Sequence, residues 1–209
     1  MDEPRPLPRR FSMIRTFVMA DFITLGNGFC GAGAILSLMQ FTATGEKRWL
    51  WWAIVLLPVA LVLDFADGKV ARYRHRSSTL GADLDSLADV ISFGMVPAAL
   101  GFAIGLRGGL DVAALLYFVA CGISRLARFN ATADALSDDS GKVSHFEGTP
   151  IPTSVLIVLL IGWLTHAGRL FEALPFGSFT LLGCVGHPLS LVYIASGSLM
   201  ISTFKIPKI

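Results

Sequence analysis

Apolar residues come in long blocks along this chain, not in the alternation of a half-buried strand or the one-sided stripe of a surface helix. Residues 50–63, LWWAIVLLPVALVL, are apolar almost without interruption. Blocks at roughly 20–42, 49–67, 85–106, 111–130, 151–168 and 178–203 predict six helices. A helix needs about 20 mostly apolar residues to cross a bilayer, and in lipid it satisfies its own backbone polar groups. The pattern therefore predicts an all-α integral membrane protein with six transmembrane helices. The last block is broken by Gly186, His187 and Pro188, so a kinked helix is expected there.

The first block is too long for a cleavable signal peptide and follows a polar, basic segment. In PRRFSMIRTF (8–17), Arg9, Arg10 and Arg15 are mixed with Phe11, Met13, Ile14 and Phe17, as in an amphipathic helix on a membrane surface. The expected division is a basic, amphipathic segment at 1–19 and one membrane domain at 20–209. The longest polar loop, residues 131–149, is rich in Asp, Ser and Gly and reads as a mobile connector or lid.

Composition agrees with the blocks. The chain is 54% hydrophobic and only 15% charged, where soluble domains carry roughly a quarter charged residues. Net charge is only +2, yet its distribution sets an orientation. With six spans, 13 of the 17 Lys and Arg fall on one side, and Lys47, Arg48, Arg107 and Arg169 on the other. Positive residues stay in the cytoplasm, so both termini are expected there. Cys30, Cys121 and Cys184 fall inside apolar blocks and read as packing residues, since no metal or redox spacing is present.

Against this background LDFADGKVARYRHRSSTLGADLDSLADV (63–90) stands out. It places Asp64, Asp67, Asp85 and Asp89 at the edge of the membrane, on the cytosolic side by the charge bias. A charge at the centre of a span costs about 2.5–3.5 kcal/mol, less near the interface. Asp83 near a helix start is explained as a cap. The other four are not, because i, i+3 and i, i+4 spacing puts each pair on one helix face, and the intervening loop lets two antiparallel helices bring those faces together. Carboxylates converging this way suit two hard divalent cations, Mg²⁺ or Mn²⁺, and such a pair is suited to clamping phosphate oxygens. Gly68, Ala71 and Gly81 leave room for a ligand, or for close helix packing. Arg72, in register with the acids, is a candidate phosphate contact. Arg74 and Arg76 read as positive-inside anchors.

The sequence Asp64-x-x-Asp67-Gly68-x-x-Ala71-Arg72, eight residues, Gly81, three residues, Asp85, three residues, Asp89 resembles the signature of the CDP-alcohol phosphatidyltransferases without a departure. The resemblance implies a six-helix membrane enzyme, usually a homodimer, with a metal pair on the four aspartates and Asp89 as general base. It implies that a CDP-linked lipid is cleaved, that CMP leaves and that a lipid phosphate passes to an alcohol. Asn27 in the first span is then a candidate contact for the nucleotide end, or a helix–helix hydrogen bond. Ser78 and Thr79 are candidates for the pyrophosphate.

Further segments resemble the CDP-diacylglycerol-dependent phosphatidylserine synthases, closer to the fungal type: DFITLGNGFCG (21–31), DLDSLADVISFGMVPAA (83–99), RLARFN (125–130), FEGTPIP (146–152) and KIPK (205–208). L-serine is then the expected acceptor. Arg128 is the first candidate for its carboxylate, since a planar guanidinium matches it. Arg125 is second, Glu147 is the candidate for its ammonium, and Phe129 and Gly148 complete the set. Fungal members usually carry a longer N-terminal extension than residues 1–8, and the link 169–187 is short. The expected membrane is the endoplasmic reticulum for a eukaryotic chain and the inner membrane for a bacterial one. Competing readings are the same chemistry with inositol phosphate, glycerol 3-phosphate or choline, or a non-catalytic divalent-ion transporter. No second set of acids lines the far half of the helices as a transport path requires.

Overall fold

The computed structural model describes residues 19–74, 79–136, 145–181, 183–202 and 205–207; of 19, 70–74, 79–80, 132–136, 145–147 and 205–207 it describes the backbone only. The expected surface helix at 1–18, Ser78, and residues 137–144 of the polar loop lie outside the described residues.

Helices dominate. α1 (Met19–Thr44) and α2 (Lys47–Arg74) form a long antiparallel hairpin. α3 (Thr79–Asp89) runs through a π-helical turn (Val90–Met95) into α4 (Val96–Ile104). α5 (Gly109–Leu136) returns along the bundle, and α6 (Val155–His166) and α7 (Ser190–Ile201) complete it. Among the described residues four helical stretches are long and apolar enough to cross a membrane: Ala20–Thr44, Lys47–Lys69, Gly81–Ile104 and Gly109–Ala131. Ile151–His166 and Ser190–Ile201 are apolar but shorter.

The sequence pattern misjudged the end of the chain. Residues 178–203 do not form one kinked helix. β2 (Phe179–Leu181) and β3 (Cys184–Gly186) pair as an antiparallel hairpin, and only Ser190–Ile201 is helical. A short apolar run fits a strand as well as a helix, and periodicity does not separate them. Cys184 is therefore exposed on a strand, not packed within a span. A second two-strand ladder joins β1 (His145–Glu147) to β4 (Lys205–Pro207), so the HFE and KIP segments, some sixty residues apart in sequence, are hydrogen-bonded neighbours.

The α3–π–α4 rod is the centre of the bundle: 67% of its most apolar window is buried, against 28% for each of the first two spans. Phe93, Val96, Leu100 and Ile104 pack inward among Leu57, Phe118, Val158 and Tyr193. The π turn has a local cause. Pro97 has no N–H and its ring crowds the carbonyl four residues back. The chain accommodates this with a wider turn, in which the Val96 N–H reaches the Ile91 carbonyl. The Tyr193 hydroxyl donates to the Pro97 carbonyl at 2.8 Å, and its ring meets Phe118 edge-on at 5.5 Å. Phe22, Phe29, Leu36 and Met39 of α1 are exposed, as side chains facing lipid must be.

α1 lies unusually close to the central rod. A Cβ on Gly31 would sit 2.5 Å from Ser92 Oγ and 3.0 Å from Ser92 Cα, so only glycine fits. Gly28 faces Ala88 one turn away. This glycine seam is thus a contact within one chain.

Candidate active site

The acidic cluster forms where α2 ends and α3 begins. Asp64 and Asp67 leave one face of α2, and Asp85 one face of α3. One carboxylate oxygen from each lies within 4.8 Å of those from the other two. Asp67 is buried, while Asp64 and Asp85 are half-buried. Asp85 Oδ1 is buried without a hydrogen-bond partner. Three anionic groups at this separation repel strongly in a low-dielectric setting, and an unpartnered buried oxygen costs about 1–3 kcal/mol. The donor set fits a hard divalent cation, which would neutralise the charge and take up the orphan oxygen.

Asp89 stands apart from that group. It is buried on the last turn of α3, and Asn27 Nδ2 of α1 donates to its Oδ1 at 3.1 Å. Asn27 is itself fully buried, and its own Oδ1 has no partner. On the same face of α1, Thr24 Oγ1 donates to Asp67 Oδ2 at 2.7 Å. A lone threonine in an apolar helix carries no pattern, so Thr24 was not singled out; only the packing of α1 against α2 reveals its partner.

A cavity of about 360 Å³ adjoins the acids. α3 lines it with Ala82, Asp85, Ser86 and Asp89, and α5 with Arg125, Leu126, Phe129 and Asn130. Gly148, Pro150 and Pro152 close it from the segment leading to α6. Gly148 has φ +74°, and a Cβ there would collide with the Met200 carbonyl, so the turn requires glycine. Arg125 is half-buried with an unpartnered Nε. Ser86 and Asn130 bridge α3 and α5: Asn130 Nδ2 donates to Ser86 Oγ at 2.9 Å, and Ser86 Oγ lies 3.2 Å from Asn130 Oδ1. Neither was singled out in the sequence, because each is a common helix residue whose partner lies 44 positions away.

The remaining candidates are distributed as follows. Arg128 is exposed on α5 and does not line the cavity. Gly68 has open space where a Cβ would be, and Gly81 is half-buried on the first turn of α3. Ala71 and Arg72 continue α2, Thr79 begins α3 and Glu147 ends β1, with their side chains outside the description.

Carboxylates gathered from two long spans, beside a cavity with an unpaired arginine nitrogen, supply groups that can hold a cation next to an anionic ligand. A family model for CDP-alcohol phosphatidyltransferase matches residues 17–194, and the chain belongs to that family. It is 46% identical to the CDP-diacylglycerol–serine O-phosphatidyltransferase of Saccharomyces cerevisiae over 95% of this chain and 73% of the relative. The Methanocaldococcus jannaschii protein of the same name is 31% identical over 95% of this chain and 78% of its own length. That of Bacillus subtilis is 30% identical over 68% and 73% respectively.

Proposed function

We propose that this chain transfers the phosphatidyl group of CDP-diacylglycerol to the hydroxyl of L-serine, giving phosphatidylserine and CMP. The observation that carries the reading is the cavity, which holds Asp89 and the unpaired Arg125 nitrogen in one space beside the carboxylate cluster. The names of the relatives support serine as the acceptor.

In this reading Asp89 accepts the proton of the serine hydroxyl as the serine oxygen bonds to the phosphorus that carries diacylglycerol. The bond from that phosphorus to the CMP oxygen breaks, and CMP leaves. Asp64, Asp67, Asp85 and Asp89 hold two divalent cations, Mg²⁺ or Mn²⁺, which when bound neutralise the pyrophosphate and the departing charge. The free Oδ1 of Asn27 accepts from the nucleotide, and the open space at Gly68 admits it. Ala71, Arg72, Ser78, Thr79 and Gly81 complete the donor side. Arg125 pairs with the serine carboxylate through its planar guanidinium, with Arg128, Phe129, Glu147 and Gly148 around the acceptor. Arg125 takes precedence over Arg128 because it lines the cavity.

The apolar helices cross the membrane six times, the two shorter ones included, and the basic side faces the cytosol. The donor's acyl chains then stay in lipid while its nucleotide meets water. The enzyme works as a homodimer, in the endoplasmic reticulum or a bacterial inner membrane. The test is CMP release by purified protein in detergent with CDP-diacylglycerol and Mg²⁺ or Mn²⁺. Serine, inositol, inositol phosphate, glycerol 3-phosphate and choline are offered in parallel, and the lipid product is weighed by mass spectrometry. Release with serine alone, abolished by chelation, is expected. Release with another acceptor overturns the serine assignment, and no release with any overturns the transferase.

A further inference from the structure

Thr24 and Asn27 are three residues apart on α1, so both side chains leave one face of that helix. Each donates to one carboxylate, and the two carboxylates come from different helices: Asp67 from α2 at 2.7 Å and Asp89 from α3 at 3.1 Å. These are the two buried acids of the four, whereas Asp64 and Asp85 are half-buried. We propose that Thr24 and Asn27 are positioning residues, a two-point clamp by which α1 sets the orientation and separation of the α2 and α3 carboxylates. The inference rests on the metal-holding role given to these acids above.

The chemistry suits the task. Crowded carboxylates repel and turn apart unless something holds them. A neutral donor fixes one oxygen without placing a competing cation in the site, and leaves the second oxygen free to ligate. Partners behind metal ligands act in this way. The Thr24 hydroxyl has one proton and two acceptors in range, the Ala20 carbonyl at 3.2 Å and Asp67 at 2.7 Å. The shorter, charge-assisted bond is the stronger. α1 is itself held in place beside α3. Ser92 Oγ donates to the Asn27 carbonyl at 3.0 Å, and the absence of a side chain at Gly31 lets the π turn approach the α1 backbone. Through these contacts the distance between α1 and the central rod is transmitted to Asp89.

The test is Mn²⁺ binding to the full chain in detergent, read by electron paramagnetic resonance without lipid substrate, with the metal-free melting temperature measured alongside. Thr24→Val keeps shape and loses the donor; Thr24→Ser keeps the donor; Asn27→Leu removes the second donor. Thr24→Val and Asn27→Leu are each expected to weaken Mn²⁺ binding about 10–100-fold, and Thr24→Ser to stay within about 3-fold of wild type. Wild-type affinity in folded Thr24→Val overturns the clamp and leaves the metal site standing. An equal loss in Thr24→Ser also overturns it, by assigning Thr24 to helix packing. Absence of Mn²⁺ binding by the wild type removes the metal site and the clamp together.

Discussion

Two buried acid sites occupy opposite ends of this bundle, and the chain treats them differently. At the start of α5, Asp111 is fully buried and saturated. The backbone N–H of Gly108 reaches it at 3.0 Å and that of His187 at 2.7 Å, with the His187 ring Nδ1 also 2.7 Å away. At the other end three carboxylates share one small space, Asp85 Oδ1 has no donor, and Arg125 Nε in the adjoining cavity has no acceptor. Burial alone therefore does not mark function. An acid that ties the fold together receives its donors from the chain. In the candidate site Asp67 and Asp89 each receive one donor from α1, while Asp85 Oδ1 is left without a donor and so is open to a ligand from outside the chain.

This contrast breaks if both sites respond alike to mutation. The largest effect is expected at Asp89: Asp89→Asn should lower turnover about 10²–10⁴-fold while Mn²⁺ and donor binding stay measurable. Wild-type turnover in that variant removes Asp89 as the base. Asp111→Ala should do the opposite. It strands three hydrogen-bonding groups of the fold, at about 1–3 kcal/mol for each that stays buried and unpaired. The melting temperature should fall by roughly 5–10 °C with the turnover of the folded fraction little changed.

Arg125→Lys is expected to raise the KM for serine about 10–100-fold with a smaller change in kcat. Arg128→Lys, outside the cavity, should raise it less; the reverse order returns the carboxylate contact to Arg128. The smallest effect is expected at the seam. Gly31→Ala forces α1 away from Ser92 and should cost about 1–3 kcal/mol of stability, seen as a lower melting temperature. An unchanged melting temperature would mean that α1 moves freely against the rod.

Much of this contrast was legible in the sequence, but only in part. The spacing of Asp64, Asp67, Asp85 and Asp89 carries its meaning locally, because i, i+3 and i, i+4 pairs share a face in any helix. Long apolar blocks likewise announce helices, since lipid leaves the backbone few alternatives. What could not be read was tertiary. Asn27 was open between a nucleotide contact and a helix–helix hydrogen bond, and its amide does make a bond between helices, to Asp89. Thr24 had no visible partner. The π turn depends on Pro97 together with the packing around it, and the β2–β3 hairpin lies in residues that suit helix and strand alike. Arg125 and Arg128 look equivalent in RLARFN, yet Arg125 lines the cavity and Arg128 is exposed outside it.

The β1–β4 ladder ties the last described residues to the wall of the cavity. Lys205–Pro207 pair with His145–Glu147, and the next residue along, Gly148, already lines the cavity. Trimming the chain at 204 removes one strand of this ladder, and with it the partner of the segment that leads into the cavity. Loss of serine use on trimming at 204, with the bundle still folded, would show that this strand pairing shapes the cavity.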